Sequence, residues 1–302
     1  MVRVFNVSDI ILDLGANVGG FSLEVAKRNP NIIIHAIEPY PKLANTLIQK
    51  AKDECIDNHI VHQVAISDEE GEHTFNVSSE SDGGTSSLLD FSKEHLQQDE
   101  YWATRIDLKY SEKIKVKTMP LERFLDGLVF DRILFIKIDI QGLDLTALKS
   151  AGKYLDRIDA GMLEVPATKD CSLYAKTDDE LYSALKFLNE NGFKIHKIKP
   201  NDPASNEFNV FFCRNELSYE LLERNLSLRE MHYYDGKHYW HFPSFRQEYP
   251  EEHIMHLTNA LAEAHEESNK LKMKNNEYLD VNIILIKKSI FYKVFKLFKK
   301  SN

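Results

Sequence analysis

The sequence predicts an α/β protein with a doubly wound, mostly parallel sheet and a helical extension at its C-terminal end. Three observations lead there. Short apolar runs alternate with segments of helical periodicity through residues 10–214. The run from Ile133 to Ile140 is almost continuously apolar, which suits a central strand covered on both faces. Acids close four of the strands, at Asp13, Glu38, Asp139 and Glu164. In an open parallel sheet the carboxyl ends of the strands share one edge, and ligands bind at that edge.

Each element has its own signal. Ile10 to Leu14 is a buried strand leading into the glycine turn Gly15-Ala16-Asn17-Val18-Gly19-Gly20. Phe21 to Arg28 has the apolar spacing of a helix and stops at Asn29-Pro30. Ile32 to Ile37 is the second strand and Lys42 to Ala51 the second helix. His59 to Ile66 alternates as one strand, and His73 to Ser78 forms another. The small polar stretch Ser78 to Ser87 reads as a loop, either a lid over the site or a solvated connection. Ile114 to Thr118 is a strand, Leu121 to Leu125 a short helix, and a helix reaching Leu148 follows the central strand. Gly161 to Val165 is the fifth main strand. Asp178 to Asn191 is an amphipathic helix stopped by Gly192, and Phe193 to Lys197 pairs with Asn209 to Arg214 as an antiparallel hairpin.

The first turn points to a nucleoside-containing ligand. A tight strand-to-helix turn needs residues without a Cβ, both to turn and to let a ligand approach the backbone. An acid ending the next strand, here Glu38, is the ordinary partner of ribose hydroxyls. Dinucleotide folds carry Gly-x-Gly so that pyrophosphate can lie against the backbone. Here Asn17 takes the place of the middle glycine, and the pattern Asp-x-Gly-x-Asn-x-Gly suits S-adenosylmethionine, which has no phosphate to cradle. Asn17 therefore counts against an NAD-dependent oxidoreductase, as does the lack of a Tyr-x-x-x-Lys pair.

Composition bounds the rest. The 302 residues allow one large α/β domain plus an appendage, with 43% apolar and 28% charged residues. A net charge of −9 argues against a broad nucleic-acid surface. Cys55, Cys171 and Cys213 lack partner spacing, which fits a reducing compartment, with a cytoplasmic location expected, and gives no zinc pattern. His238 with His241, and His253 with His256, lack third ligands, so no metal is expected. From Ile254 to Leu285 a mostly apolar seam recurs in alternating steps of three and four, weakened by the polar Ser268, Asn275 and Asn282, the spacing of a coiled coil that dimerises or of a helix lying on its own domain. Residues 287–302 hold six lysines and no acid, interleaved with Ile290, Phe291, Val294, Phe295, Leu297 and Phe298. That is the form of a peripheral membrane anchor, and equally of a terminal helix packed through its aromatic face.

Several ordered motifs give a more specific reading. DLGANVGGFS at 13–22, IEPYP at 37–41, VAISD at 64–68, GGTSSL at 83–88, VKTMPLERFL at 116–125 and IKIDIQGLDLTALKSAG at 136–152 together resemble the FkbM family of S-adenosylmethionine-dependent methyltransferases. The resemblance covers roughly residues 9–214 and implies a class I methyltransferase (Rossmann-like) fold. It also implies O-methylation of a saccharide or another small hydroxylated acceptor, as in polysaccharide biosynthesis. On the matching positions it implies that Asp13, Gly15, Asn17 and Gly19 shape the cofactor loop. Glu38 would hold the ribose, and Ser67 and Asp68 would lie beside the adenine. Gln141 stands where the family often has Glu.

Asp139, ending the central strand beside the expected methyl group, is a candidate general base or a loop-orienting acid, with Lys137 and Glu164 as the other candidates. The expected organisation is a methyltransferase domain at 1–215, an aromatic-rich connection at 216–250 and a helical extension with a basic tail at 251–302. A non-catalytic tethering protein that kept the fold remains an alternative from another class.

Overall fold

In a computed structural model the chain is described at residues 8–78, 84–99, 102–103, 105, 108–201, 205–231 and 270. Its strands are β1 (Ile10–Leu14), β2 (Ile33–Ile37), β3 (His59–His62), β4 (Ala65–Ile66), β5 (Gly71–Ser78), β6 (Tyr110–Met119), β7 (Ile133–Ile138), β8 (Ala160–Pro166), β9 (Phe193–Pro200) and β10 (Glu207–Arg214). The helices are α1 (Ser22–Arg28), α2 (Pro41–Asp53), α3 (Lys93–Gln98), α4 (Leu121–Asp126), α5 (Asp144–Lys149), α6 (Leu181–Glu190) and α7 (Tyr219–Asn225).

The main sheet has seven strands in the order β3-β2-β1-β7-β8-β10-β9. Strands β3 to β8 along that order are parallel, and the hairpin β9–β10 closes the edge antiparallel to β8. β1 lies between β2 and β7, so the order reverses beside it, at the place where open α/β sheets leave a crevice. Core packs on both faces, which explains the unbroken apolar runs. Leu12 and Leu14 of β1 with Ile136 and Ile138 of β7 meet Leu121, Leu145, Leu148 and Leu188 on one face. Ile11, Leu134 and Phe135 meet Leu23, Val25, Leu47 and Leu222 on the other.

Three expectations are corrected. The segment His59 to Ile66 is two strands in two sheets: β3 pairs with β2, whereas β4 joins β6 and β5 in a three-stranded sheet. Alternation alone cannot show that a strand changes partner midway. The β6 strand is also longer than Ile114 to Thr118, because its pairing with β5 carries on through exposed polar positions. Finally, the domain does not end at residue 215. Tyr219, Leu222, Leu226, Leu228 and Met231 are buried in the same core as β7, so the first part of the expected connection belongs to the body.

The chain divides between Arg246 and Gln247. Residues 232–250 of the expected aromatic-rich connection, every position of the 254–285 seam and the basic tail fall outside the described residues. Among the described residues no helix is long and apolar enough to cross a membrane, and no group of three or more His, Cys, Asp or Glu is placed to hold a metal ion.

Candidate functional site

The four acid-bearing strand ends open into one cavity of about 260 Å³, room for a nucleoside-sized ligand rather than a few waters. Asp13, Gly15, Asn17, Glu38, Lys137, Asp139 and Glu164 all line it. Gly15 is required here on two counts. Its φ of +78° belongs to the left-handed region, and a Cβ would stand 1.9 Å from the Asp139 carbonyl oxygen. Removing that carbon lets the turn after β1 cross the end of β7. Asn17 also has positive φ, at 49°. Its backbone N–H donates to Glu38 Oε2 at 2.9 Å while the Tyr40 backbone N–H donates to Oε1 at 2.8 Å. Burial pushes the Glu38 carboxyl up to about 7, against the pull of those two amides.

A buried ion-pair chain crosses the centre. Lys137 Nζ lies 3.4 Å from Asp13 Oδ1 and 3.2 Å from Asp139 Oδ2. Burial works against the ammonium charge, but Asp139 and Asp13 outweigh it and hold the Lys137 pKa above its ordinary value. Asp13 is pushed up by its burial, which Lys137 opposes. Gln141 Nε2 donates to Asp139 Oδ1 at 2.6 Å, and Tyr174 O–H donates to Gln141 Oε1 at 2.6 Å. The Gln141 carbonyl accepts from Ser87 Oγ at 2.7 Å, which fastens the end of the serine-rich loop to the strand end.

The structure separates some of the expected residues. Gly19 shapes the turn with a φ of +87° but is not on the wall of this cavity. Ser67 and Asp68 are also absent from the wall. Ser67 Oγ donates to the Glu69 carbonyl within its own turn, and Asp68 is exposed. The wall at that point is the preceding apolar stretch Val64, Ala65 and Ile66, with Leu43 and Phe75 elsewhere on it. Sequence reasoning also missed Asn201 and Asn209, which line the cavity beside Glu164. Nothing local marks them, because an asparagine in a hairpin is ordinary until its strand is placed next to an acid.

A parallel sheet whose glycine turn and acidic strand ends form one cavity is the arrangement of nucleoside-binding α/β proteins, and a family model described as Methyltransferase FkbM domain matches residues 13–195, which gives the class, S-adenosylmethionine-dependent methyltransferases. The chain belongs to that family. No curated protein matches the chain. Among solved structures, TrmK of M. capricolum in complex with S-adenosylhomocysteine is 10% identical at a TM-score of 0.40, covering 88% of this chain and 83% of that one. TYW2 of M. jannaschii in complex with AdoMet is 16% identical at 0.35, covering 69% and 70%. A fibrillarin/Nop5p complex gives 17% and 0.37, covering 70% and 76%. The assignment is carried by the family match alone.

The residues present fit the cofactor. Among the described residues both Asp13 carboxylate oxygens and Asn17 Oδ1 are buried with no hydrogen bond of good geometry, although Lys137 forms an ion pair with Asp13 and the Ser22 hydroxyl also favours its charge. Buried acceptors without donors are costly, so they call for a ligand rich in N–H and O–H groups. S-adenosylmethionine offers an ammonium group and two ribose hydroxyls, and the apolar wall suits its adenine.

Proposed function

We propose that the protein transfers a methyl group from S-adenosylmethionine to a hydroxyl oxygen of a saccharide or a similarly hydroxylated small acceptor. Asp13, Gly15, Asn17 and Glu38 bind the cofactor in this reading. The carrying observation is the second wall of the cavity, where Asp139, Gln141, Glu164, Asn201 and Asn209 set carboxylate and carboxamide groups side by side. Alternating acceptors and donors suit a polyol, whose hydroxyls both donate and accept. They suit an anionic acceptor poorly, since among the described residues Lys137 is the sole cation on that wall and is already shared by two carboxylates.

The cofactor supplies an electrophilic methyl carbon on a sulfonium sulfur. The protein's part is to hold the acceptor oxygen in line with it, to keep water out and to receive the hydroxyl proton. Alignment alone is worth up to ~7–11 kcal/mol, and a base adds about 10²–10⁴-fold for an unactivated hydroxyl.

The test is incubation of the full chain with methyl-labelled S-adenosylmethionine and a panel of neutral mono- and disaccharides, with amines alongside, followed by mass spectrometry. A labelled methyl ether on a saccharide is the expected product. Label on the amines alone, or on no hydroxylated acceptor, overturns the reading.

A further inference from the structure

Two carboxyl groups near the ends of the neighbouring strands β7 and β8 face the same cavity, and their surroundings differ. Asp139 already meets a donor at each oxygen, Gln141 at Oδ1 and Lys137 at Oδ2. Glu164 forms no ion pair among the described residues and holds one hydrogen-bond donor, the Asn201 amide on Oε2. Asn209 stands opposite Glu164 in the β8–β10 register and donates to Asn201 Oδ1 at 3.1 Å. Both carboxamides therefore turn their N–H edges along one chain that ends on Glu164. Its Oε1 takes no hydrogen bond from the described residues.

We infer that Glu164 is the catalytic base that receives the acceptor's hydroxyl proton, with Asn201 and Asn209 as its positioning residues and Asp139 as the anion that anchors Lys137. The inference rests on the methyltransferase reading with a hydroxyl acceptor. In the step, Glu164 Oε1 takes the proton while the acceptor oxygen forms its bond to the methyl carbon. The old carbon–sulfur bond breaks, and its electron pair stays on sulfur. Glu164 then releases the proton to water once the product has left. Lys137, paired with two carboxylates, stays cationic and does not compete for the proton.

The electrostatics of the site agree. Burial, and then the charge of Asp139, push the Glu164 carboxyl well above the usual carboxylate range, with Glu207 and Asp144 adding to the rise and Lys137 opposing it. A carboxylate with raised proton affinity is the stronger base.

The test uses the full chain with ¹³C-carboxyl-labelled glutamate, titrated by NMR without any acceptor. Two glutamate signals are expected to titrate above the ordinary carboxylate range, that of Glu38, which vanishes in Glu38→Gln, and a second that vanishes in Glu164→Gln and persists in Asp139→Asn. Persistence of both signals in Glu164→Gln overturns the inference. Asn201→Ala keeps the carboxyl but removes its donor, so the second signal must move to higher pH, and an unmoved signal also overturns it. With a saccharide from the panel as acceptor, Glu164→Gln is expected to lower turnover by ~100-fold or more and to flatten the pH profile, leaving the KM for S-adenosylmethionine within about threefold. Turnover within about tenfold of wild type overturns the inference. Because the titration needs no acceptor, a panel with no methylated member counts against the saccharide reading alone.

Discussion

The Asn17 backbone N–H donates to the Glu38 carboxylate at 2.9 Å, tying the glycine turn after β1 to the end of β2 across 21 residues of sequence. With the Tyr40 amide on the other oxygen, this link aims a buried carboxylate at the cavity before any ligand arrives. Replacing Glu38 by Gln removes one charge-assisted acceptor, worth ~1.5–3 kcal/mol, so calorimetry is expected to show about 10–100-fold weaker binding of S-adenosylmethionine.

The same residue sets a pH dependence of stability. Its folded pKa of about 7 lies above the ordinary glutamate value of 4.5, so the native state binds the proton more tightly. Its contribution to stability is complete below pH 4.5 and is lost as pH rises toward 7. The whole effect is roughly 3 kcal/mol. Denaturant melts of the ligand-free protein at pH 5 and pH 7.5 are expected to differ less in Glu38→Gln than in wild type.

His35 and His62 act in the opposite sense. Their rings share a 2.9 Å hydrogen bond between β2 and β3, and burial, then His62, depress His35 to about 4. A histidine kept neutral on folding stabilises fully above pH 6.5, and that stability drains away as pH falls toward 4, by up to roughly 3 kcal/mol. Denaturant melts between pH 7 and pH 5 are expected to show a shallower acid loss in His35→Leu than in wild type.

Gly15→Ala tests the close approach of the first turn to β7. The added carbon meets the Asp139 carbonyl oxygen at 1.9 Å and must also adopt positive φ, so both the turn and the strand end must shift. The strained conformation alone costs ~1–3 kcal/mol. Thermal denaturation is expected to report a lower midpoint, with cofactor binding weakened in the same variant.

Asp159 is the buried half of an ion pair. Arg132 donates to its Oδ1 from Nε at 2.9 Å and from Nη2 at 2.5 Å, beneath the junction of β7 and β8. Asp159→Ala leaves the guanidinium without that carboxylate and is expected to destabilise the protein by about 3 kcal/mol, read from denaturant midpoints. The site lies at the opposite end of these strands, so cofactor affinity in the folded variant is expected to stay unchanged.

Much of this was legible in the sequence. Apolar runs, their lengths and the glycine turn are properties of neighbouring residues, and they sufficed to predict the alternating α/β order and the main strands. Parallel strands in one sheet bring their carboxyl ends together wherever each strand sits, so Asp13, Glu38, Asp139 and Glu164 could be placed at one edge from strand ends alone. What depended on long-range register could not be read. The change of partner between β3 and β4 turns Ser67 and Asp68 off the cavity wall, and the folding of residues 219–231 into the core moves the expected domain boundary. The β8–β10 pairing sets Asn209 opposite Glu164 and brings Asn201 onto its carboxylate. Local periodicity records which face a residue takes. Contacts between strands distant in sequence are decided only when the sheet assembles, because the hydrogen-bond register and the packing on both faces are settled together.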